Sequence, residues 1–105
     1  LILGLAYKAN VDDCRESPSF VLMEKLEAKG GIVDYNDSFV PVVPPTREHA
    51  HFTGKKSVEI KDSYDLILVS TNHNEYKDFD FSSYSSPLVD ARNCIEHKPQ
   101  KYFQA

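Results

Sequence analysis

The stretch Leu1-Ile-Leu-Gly-Leu-Ala-Tyr-Lys-Ala-Asn-Val-Asp-Asp-Cys-Arg-Glu-Ser-Pro18 decides the fold. Residues 1–5 are aliphatic apart from Gly4, which is typical of a buried strand. A polar loop follows, and Ser17 with Pro18 is a typical helix start, because an N-cap serine precedes a proline at the first helical position. Strand, loop and helix in this order predict the first half of a βαβ unit.

The remaining segments continue this alternation of strand and helix. Residues 17–29 carry apolar side chains at helical spacing, and Gly30-Gly31 supply a left-handed stop. Short apolar runs predict further strands, and Asn72 with Glu75 predicts a capping box for a short helix. We therefore predict an α/β fold, a three-layer Rossmann-like domain with a mainly parallel sheet. The predicted strands are 32–35, 66–70 and 87–90, with 58–60 as a minor strand or turn and 38–56 as an ordered excursion over the surface.

Composition excludes several classes of protein. The net charge of −4 over 105 residues argues against a nucleic-acid partner, which normally meets a basic face. No apolar run approaches the roughly 18 residues of a membrane span, so we expect no membrane partner. Cys14 and Cys94 lack metal-site spacing and are interpreted as free thiols in a reducing cytoplasm. No acidic or thiol residue stands near His49-x-His51 at a spacing that suggests a metal, so we expect no metal site.

The candidate site lies where the predicted parallel strands end. Ligands of open α/β sheets collect at the carboxyl ends of the strands. Tyr7, Lys8 and Arg15 follow the first strand, and Arg92 follows the last. Two or more cations beside an aromatic ring favour an anionic ligand with a flat group, such as phosphate with a nucleobase. The alternative is that these cations are ordinary solvated surface charges.

The loop after Gly4 lacks the Gly-x-Gly-x-x-Gly pattern that lets a backbone approach a pyrophosphate. Phosphate would therefore be bound by side chains, and the guanidinium fork of Arg92 suits two phosphate oxygens better than a lysine does. Asp90, two residues earlier, is expected to steady that fork or cap a turn. Asp34 and Asp37 are interpreted as turn or edge residues, and His73 as structural or solvent-facing.

Two motifs resemble one known family. The segment Gly4-Leu-Ala-Tyr-Lys8, continued by Asp13-Cys-Arg15-Glu-Ser-Pro18, is similar to the motif that opens the C-terminal domain of the UDP-glucose/GDP-mannose dehydrogenases. Leu88-Val-Asp90-Ala-Arg92-Asn93 is similar to the second signature of that domain. The resemblance implies that residues 1–97 form a UDP-sugar-binding C-terminal domain and that 98–105 are a tail.

The resemblance also assigns roles to residues. Tyr7, Lys8 and Arg92 match positions that hold the nucleotide sugar, and Arg15 matches an arginine that reaches NAD bound by a neighbouring domain. Neither Cys14 nor Cys94 matches the family's nucleophile, so no catalytic residue is expected here.

The family resemblance further implies a longer enzyme. The chain begins without methionine inside a predicted central strand, and we expect it to be a piece of a longer protein. The parent would oxidise the C6 alcohol of a UDP-sugar to a carboxylate with NAD, as a homo-oligomer whose N-terminal and central domains supply most NAD contacts and the catalytic cysteine. This fragment alone is expected to be inactive. The run 40–49 resembles dehydrogenases of UDP-N-acetylhexosamines, which makes UDP-N-acetylglucosamine the expected substrate.

Two other classes compete with this interpretation, both of them stand-alone α/β modules without an enzymatic role. A response-regulator phosphoacceptor needs paired acids directly at the end of its first strand, whereas Asp12 and Asp13 lie well beyond Leu5. A protein-interaction module of the BRCT type is disfavoured because the chain contains no tryptophan. Binding of uridine nucleotides would distinguish the three classes.

Overall fold

A five-stranded, all-parallel sheet forms the centre of the protein, described for residues 1–105 by a computed structural model. The strand order is β2-β1-β3-β4-β5, so the carboxyl ends of all the strands share one edge. The predicted α/β, mainly parallel architecture is confirmed. The strands are β1 (Ile2–Leu3), β2 (Tyr35–Asn36), β3 (Ile67–Val69), β4 (Leu88–Asp90) and β5 (Tyr102–Gln104); the helices are α1 (Pro18–Ala28) and α2 (Asn74–Asp78), with a 3₁₀ turn at Ala50–Phe52.

The sheet separates two apolar clusters, which makes the domain three-layered. Ile2 and Leu3 are neighbours in β1 but belong to different clusters, because successive strand side chains point to opposite faces. One cluster contains Phe20 and Met23 of α1, and the other contains Tyr76 of α2. The two helices therefore cover opposite faces of the sheet, as predicted.

Helix α1 begins and ends as the sequence predicts. Ser17 is the N-cap, and its Oγ accepts a hydrogen bond from the Ser19 N–H at 3.2 Å. Pro18 occupies the first turn, where its missing N–H costs nothing. At the other end Gly30 has φ +91°, and the Gly31 N–H donates to the Leu26 carbonyl, which closes the helix.

The strands are shorter than their apolar runs. Strand β1 ends at Leu3 because Gly4 takes φ +95° and turns the chain, although Leu5 and Ala6 remain buried. Strand β2 forms at Tyr35–Asn36, later than the predicted 32–35, and Ile32 is 95% exposed. The segment 58–60, predicted to be a minor strand or turn, forms neither.

The excursion over 38–56 is ordered, as expected. It buries Val40, Val43 and Phe52 against the α1 cluster. The Tyr35 hydroxyl donates to the Val40 carbonyl at 2.7 Å, and the His49 ring stacks on Phe20 with a centroid separation of 5.0 Å. These contacts hold a proline-rich segment against the domain, although its only helical element is the short 3₁₀ turn at Ala50–Phe52.

Helix α2 starts differently from the prediction. The N-cap residue is His73 rather than Asn72, and its side chain makes no capping hydrogen bond to the helix. The Asn74 N–H instead donates to Asn10 Oδ1 at 3.1 Å. A loop residue from the beginning of the chain therefore caps this helix, and no local pattern could indicate it.

Residues 98–105, expected to be a tail, contribute the edge strand β5, which pairs with β4 in parallel. Phe103 on this strand is 55% exposed. No helix of the protein is both long and apolar enough to span a bilayer.

Gly4 is a test of how closely β1 approaches the end of β3. A Cβ on Gly4 would lie 2.7 Å from the Thr71 amide nitrogen, and φ +95° is strained for any other residue. Gly4→Ala should lower the free energy of unfolding by about 3 kcal/mol in urea titration, as overpacking adds to backbone strain.

Gly30 supplies the matched control. It has φ +91° with nothing within 4 Å of an added Cβ, so Gly30→Ala should cost only about 1 kcal/mol. Equal losses in the two variants would show that the close approach to Thr71 is unimportant.

Candidate functional site

The loop between β1 and α1 carries most of the predicted site residues. Tyr7 is 54% exposed, and Lys8 is exposed and takes part in no ion pair. Ala6, immediately before them, is buried, and its carbonyl accepts a hydrogen bond from the Thr71 hydroxyl at 2.8 Å. The loop is therefore tied to the end of β3 while Tyr7 and Lys8 project into solvent.

Arg15 lies at the far end of the same loop. Its Nε and Nη2 donate to the two carboxylate oxygens of Asp13 at 3.1 and 3.0 Å, forming a fork-to-fork pair. Hydrogen bonding from Arg15 lowers the pKa of the exposed Asp13 carboxyl. The Arg15 side chain is still 86% exposed, so it can meet a further anion or a neighbouring domain.

Arg92 follows β4 at the same edge of the sheet. Its Nη1 lies 3.5 Å from the Ser70 carbonyl oxygen at the end of β3, the outer limit of a hydrogen bond. The guanidinium therefore leans from the end of β4 towards the end of β3, and it carries no ion pair.

Asp90 braces the backbone that presents Arg92. It is fully buried, and Oδ1 accepts from the Arg92 N–H at 3.1 Å. Oδ2 accepts from the N–H groups of Cys94 and Ile95 and from the Tyr102 hydroxyl, at 2.9, 3.0 and 2.7 Å. Of the two roles expected for Asp90, the structure shows turn capping and no contact with the guanidinium.

The structure brings together some of these residues and not others. Tyr7 and Arg15 line one shallow pocket of 370 Å³, with Asp13 and Glu16. Neither Lys8 nor Arg92 lines that pocket. Tyr7 and Arg15, to which the resemblance gives different ligands, thus share a surface, whereas Arg92 stands at the end of a strand two places from β1.

A buried acid–imidazole pair, Asp37 with His73, lies beneath the loop. Both side chains have no exposed surface, and His73 Nε2 is 2.9 Å from Asp37 Oδ2. The N–H groups of Leu5 and Ala6 donate to the same oxygen at 2.7 and 2.9 Å. Although burial opposes ionisation, these hydrogen bonds outweigh it and lower the pKa of Asp37.

The sequence indicates only part of the role of this pair. Asp37 does brace a turn, since its Oδ1 accepts from the Phe39 N–H at 2.9 Å. Its larger role is to hold the site loop, which the sequence signals only through an acid placed just after a strand adjacent to β1. His73 is structural, which was one of its two expected roles.

The two cysteines are poor candidates for nucleophiles. Burial raises the pKa of the Cys14 thiol. Burial and the neighbouring Asp90 raise the pKa of Cys94 to about 11. Both thiols therefore stay protonated at neutral pH. No three His, Cys, Asp or Glu side chains lie close enough together to hold a metal ion.

The fold and the site define an α/β domain that presents cations and an aromatic ring at the carboxyl edge of a parallel sheet. Residues 1–97 match the UDP binding domain of the UDP-glucose/GDP-mannose dehydrogenase family. The chain belongs to this family.

Individual relatives agree with this assignment. The chain is 30% identical over 105 residues to UDP-glucose 6-dehydrogenase of Bacillus subtilis, covering 89% of this chain and 22% of that protein. It is 34% identical over 94 residues to UDP-N-acetyl-D-mannosamine dehydrogenase of Methanocaldococcus jannaschii, covering 90% and 20%. The chain thus spans about a fifth of the length of these relatives.

Solved structures show the same fold. The native UDP-N-acetyl-mannosamine dehydrogenase of Staphylococcus aureus superposes with a TM-score of 0.69 at 28% identity, covering 98% of this chain and 25% of that one. GDP-mannose dehydrogenase of Pseudomonas aeruginosa, solved as a ternary complex, gives 0.69 at 25% identity, covering 98% and 27%.

Asp37 should make the protein's stability depend on acid. Its folded-state pKa is depressed, so its contribution is fully present above the unfolded value of about 3.9 and is lost as the pH falls through the folded value. Asp37→Asn should cost about 3 kcal/mol at pH 7, the scale for breaking a buried pair.

Urea unfolding between pH 2 and pH 7 measures this contribution. The gap between wild type and Asp37→Asn should narrow below about pH 4, because Asp37 of the unfolded wild-type chain then takes up a proton while the folded form holds the carboxylate ionised to lower pH. Asp62→Asn is the control for removing a hydrogen-bonded acid. Hydrogen bonds from Ser85 and Ser86 also lower the pKa of Asp62, but this side chain is exposed and lies away from the loop. A gap between wild type and Asp37→Asn that is constant with pH would contradict the assignment of an ionised Asp37.

Proposed function

We propose that this chain binds the UDP moiety of a nucleotide sugar at the carboxyl edge of its sheet, as part of an NAD-dependent UDP-sugar 6-dehydrogenase. The match of residues 1–97 to the family's UDP binding domain carries the proposal. The free cations at that edge support it, since Lys8 and Arg92 take part in no ion pair.

Each residue has a chemical role in this proposal. The Arg92 fork binds two oxygens of the diphosphate, and Lys8 neutralises the remaining charge as a flexible point cation. The Tyr7 ring, which is half exposed, stacks against a flat part of the ligand. Arg15 faces NAD bound by another domain of the longer enzyme.

The domain contributes binding and orientation rather than bond making. Cys14 and Cys94 are protonated thiols, and the loop after Gly4 has no glycine pattern for a pyrophosphate. Hydride transfer and the covalent steps at C6 belong to the rest of the parent enzyme, and this chain alone is inactive. Holding the nucleotide fixes the distance between the sugar and those groups, which is the positioning share of catalysis.

The finer assignments are proposed on resemblance. UDP-N-acetylglucosamine is the proposed substrate because of the run 40–49, while named relatives act on UDP-glucose and UDP-N-acetyl-D-mannosamine. The parent is proposed to be a cytoplasmic homo-oligomer in which this domain contacts the N-terminal and central domains. Residues 1–97 are proposed to correspond to the family's UDP-binding domain, as the family match has the same limits, and β5 adds one further strand to its sheet.

Arg92 provides the direct test of UDP binding. Arg92→Ala should weaken UDP binding by about 1.5–3 kcal/mol in isothermal titration calorimetry, because a charged hydrogen-bond donor is removed. Arg92→Lys should restore part of that loss, since a point charge replaces the fork. Lys61→Ala, which removes an exposed cation on the segment before β3, is the control and should bind as wild type does. Unchanged UDP affinity in Arg92→Ala would remove Arg92 from the site.

A substitution of Arg15 distinguishes a role in cofactor binding from a role in substrate binding. In the full-length enzyme, Arg15→Ala should raise KM for NAD and leave KM for the UDP-sugar nearly unchanged. The physical reason is that the Arg15 side chain is 86% exposed although it pairs with Asp13, so it can contact a group outside this domain. Steady-state kinetics with each substrate varied in turn measures this, with exposed Lys25→Ala as the control. A selective rise in KM for the UDP-sugar would move Arg15 into the substrate site.

A further inference from the structure

The segment bearing Tyr7 and Lys8 is held at both ends by one buried unit. Before these residues, the N–H groups of Leu5 and Ala6 donate to Asp37 Oδ2. After them, the Asn10 N–H donates to His73 Nδ1 at 2.8 Å. Asp37 and His73 are also hydrogen-bonded to each other, so one connected pair of side chains holds both ends of the loop.

The hydrogen bonds also fix the tautomer of the His73 ring. Because Nδ1 accepts a hydrogen bond from the Asn10 amide, Nδ1 carries no proton. The ring proton therefore resides on Nε2 and is donated to Asp37 Oδ2 at 2.9 Å. The two nitrogens have different roles, since Nε2 secures the acid and Nδ1 secures the loop.

The packing around His73 prevents the ring from turning away. Phe39 and Tyr76 pack on the imidazole with centroid separations of 4.8 and 5.6 Å. The Tyr76 hydroxyl itself donates a hydrogen bond to the Asn36 carbonyl at 2.6 Å.

Asn10 is further fixed through its side chain, which accepts a hydrogen bond from the Asn74 N–H. The anchor at Asn10 is thus rigid, although Tyr7 and Lys8 are exposed.

We propose that the Asp37–His73 pair is a positioning device for nucleotide-sugar binding: it sets the placement of Tyr7 and Lys8 without touching the ligand. This inference rests on the proposed function, since it gives the loop a UDP-sugar to bind. A loop held at both ends loses little conformational entropy when the ligand binds, and a smaller entropy loss gives tighter binding. Loss of the Asn10 anchor should therefore weaken binding even where the domain stays folded.

Two substitutions separate the roles of the two ring nitrogens. In His73→Gln the amide nitrogen can replace Nε2 and retain the bond to Asp37, while the acceptor for Asn10 is lost. In His73→Asn the amide oxygen can replace Nδ1 and retain the bond from Asn10, while the donor to Asp37 is lost. Phe81→Leu is the control, because buried Phe81 packs on the Phe79 and Tyr84 rings rather than on His73. Its truncation should lower stability and leave the anchors of the loop in place.

The affinity of each variant for UDP-glucose is measured by calorimetry below its melting temperature. His73→Gln should bind about tenfold more weakly than wild type, the effect of about one hydrogen bond. His73→Asn should stay within about threefold of wild type, and Phe81→Leu should bind like wild type despite a lower melting temperature. UDP-glucose serves as the probe because its diphosphate is esterified at both ends.

Two results would overturn the positioning role. One is wild-type affinity in folded His73→Gln; the other is an equal loss in His73→Asn and His73→Gln, which would indicate a packing effect alone. Absence of UDP-glucose binding by the wild-type chain would instead contradict the proposed function, so the two failures are distinguishable.

A measurement on the unsubstituted protein does not depend on whether the variants fold. Amide hydrogen exchange should show the Asn10 N–H protected at least about tenfold more than the Lys8 N–H of the same loop, and more strongly protected with UDP-glucose bound. Nitrogen NMR of His73 should show the proton on Nε2. Exchange of Asn10 as fast as Lys8 would refute the anchor.

Discussion

The carboxylate of Asp37 is the constraint on which the site depends. It has no exposed surface, and an ion removed from water is tolerated only when donors replace the water. Those donors come from three segments distant in sequence: the end of β1, the turn after β2 and the start of α2. Because the buried Asp37 carboxylate needs hydrogen bonds from all three segments at once, these bonds also fix how the segments lie relative to one another.

Asp90 repeats this arrangement at the end of β4. It is also fully buried, and its partners are backbone amides and the Tyr102 hydroxyl. Asp37 and Asp90 are thus both buried and accept hydrogen bonds from the backbone, whereas the basic side chains of Lys8 and Arg92 are exposed.

The sequence predicted the elements whose causes are local. Helix α1 was found from its cap, its proline and its terminal glycines, and β3 and β4 from aliphatic runs. Features caused by distant contacts were missed. The cap of α2 comes from Asn10, 64 residues away, and β5 is an exposed edge strand without a buried apolar pattern. The same limit explains why exposed Tyr7, Lys8, Arg15 and Arg92 were identified as candidates while buried Asp37 was not.

The order of the strands has a consequence for how the chain folds. Strand β1 lies between β2 and β3, and the Leu1 carbonyl accepts a hydrogen bond from the Leu68 N–H. The β1 strand therefore pairs on one side with β3, which is synthesised more than 60 residues later. Strand β5 completes the sheet with the last residues of this chain. Parallel pairings of such long separation close slowly, because loop entropy is lost before the contacts compensate for it. On a ribosome, the side of β1 that pairs with β3 therefore stays open until β3 has emerged, and this apolar edge of the nascent chain is exposed to aggregation or chaperone binding throughout that interval.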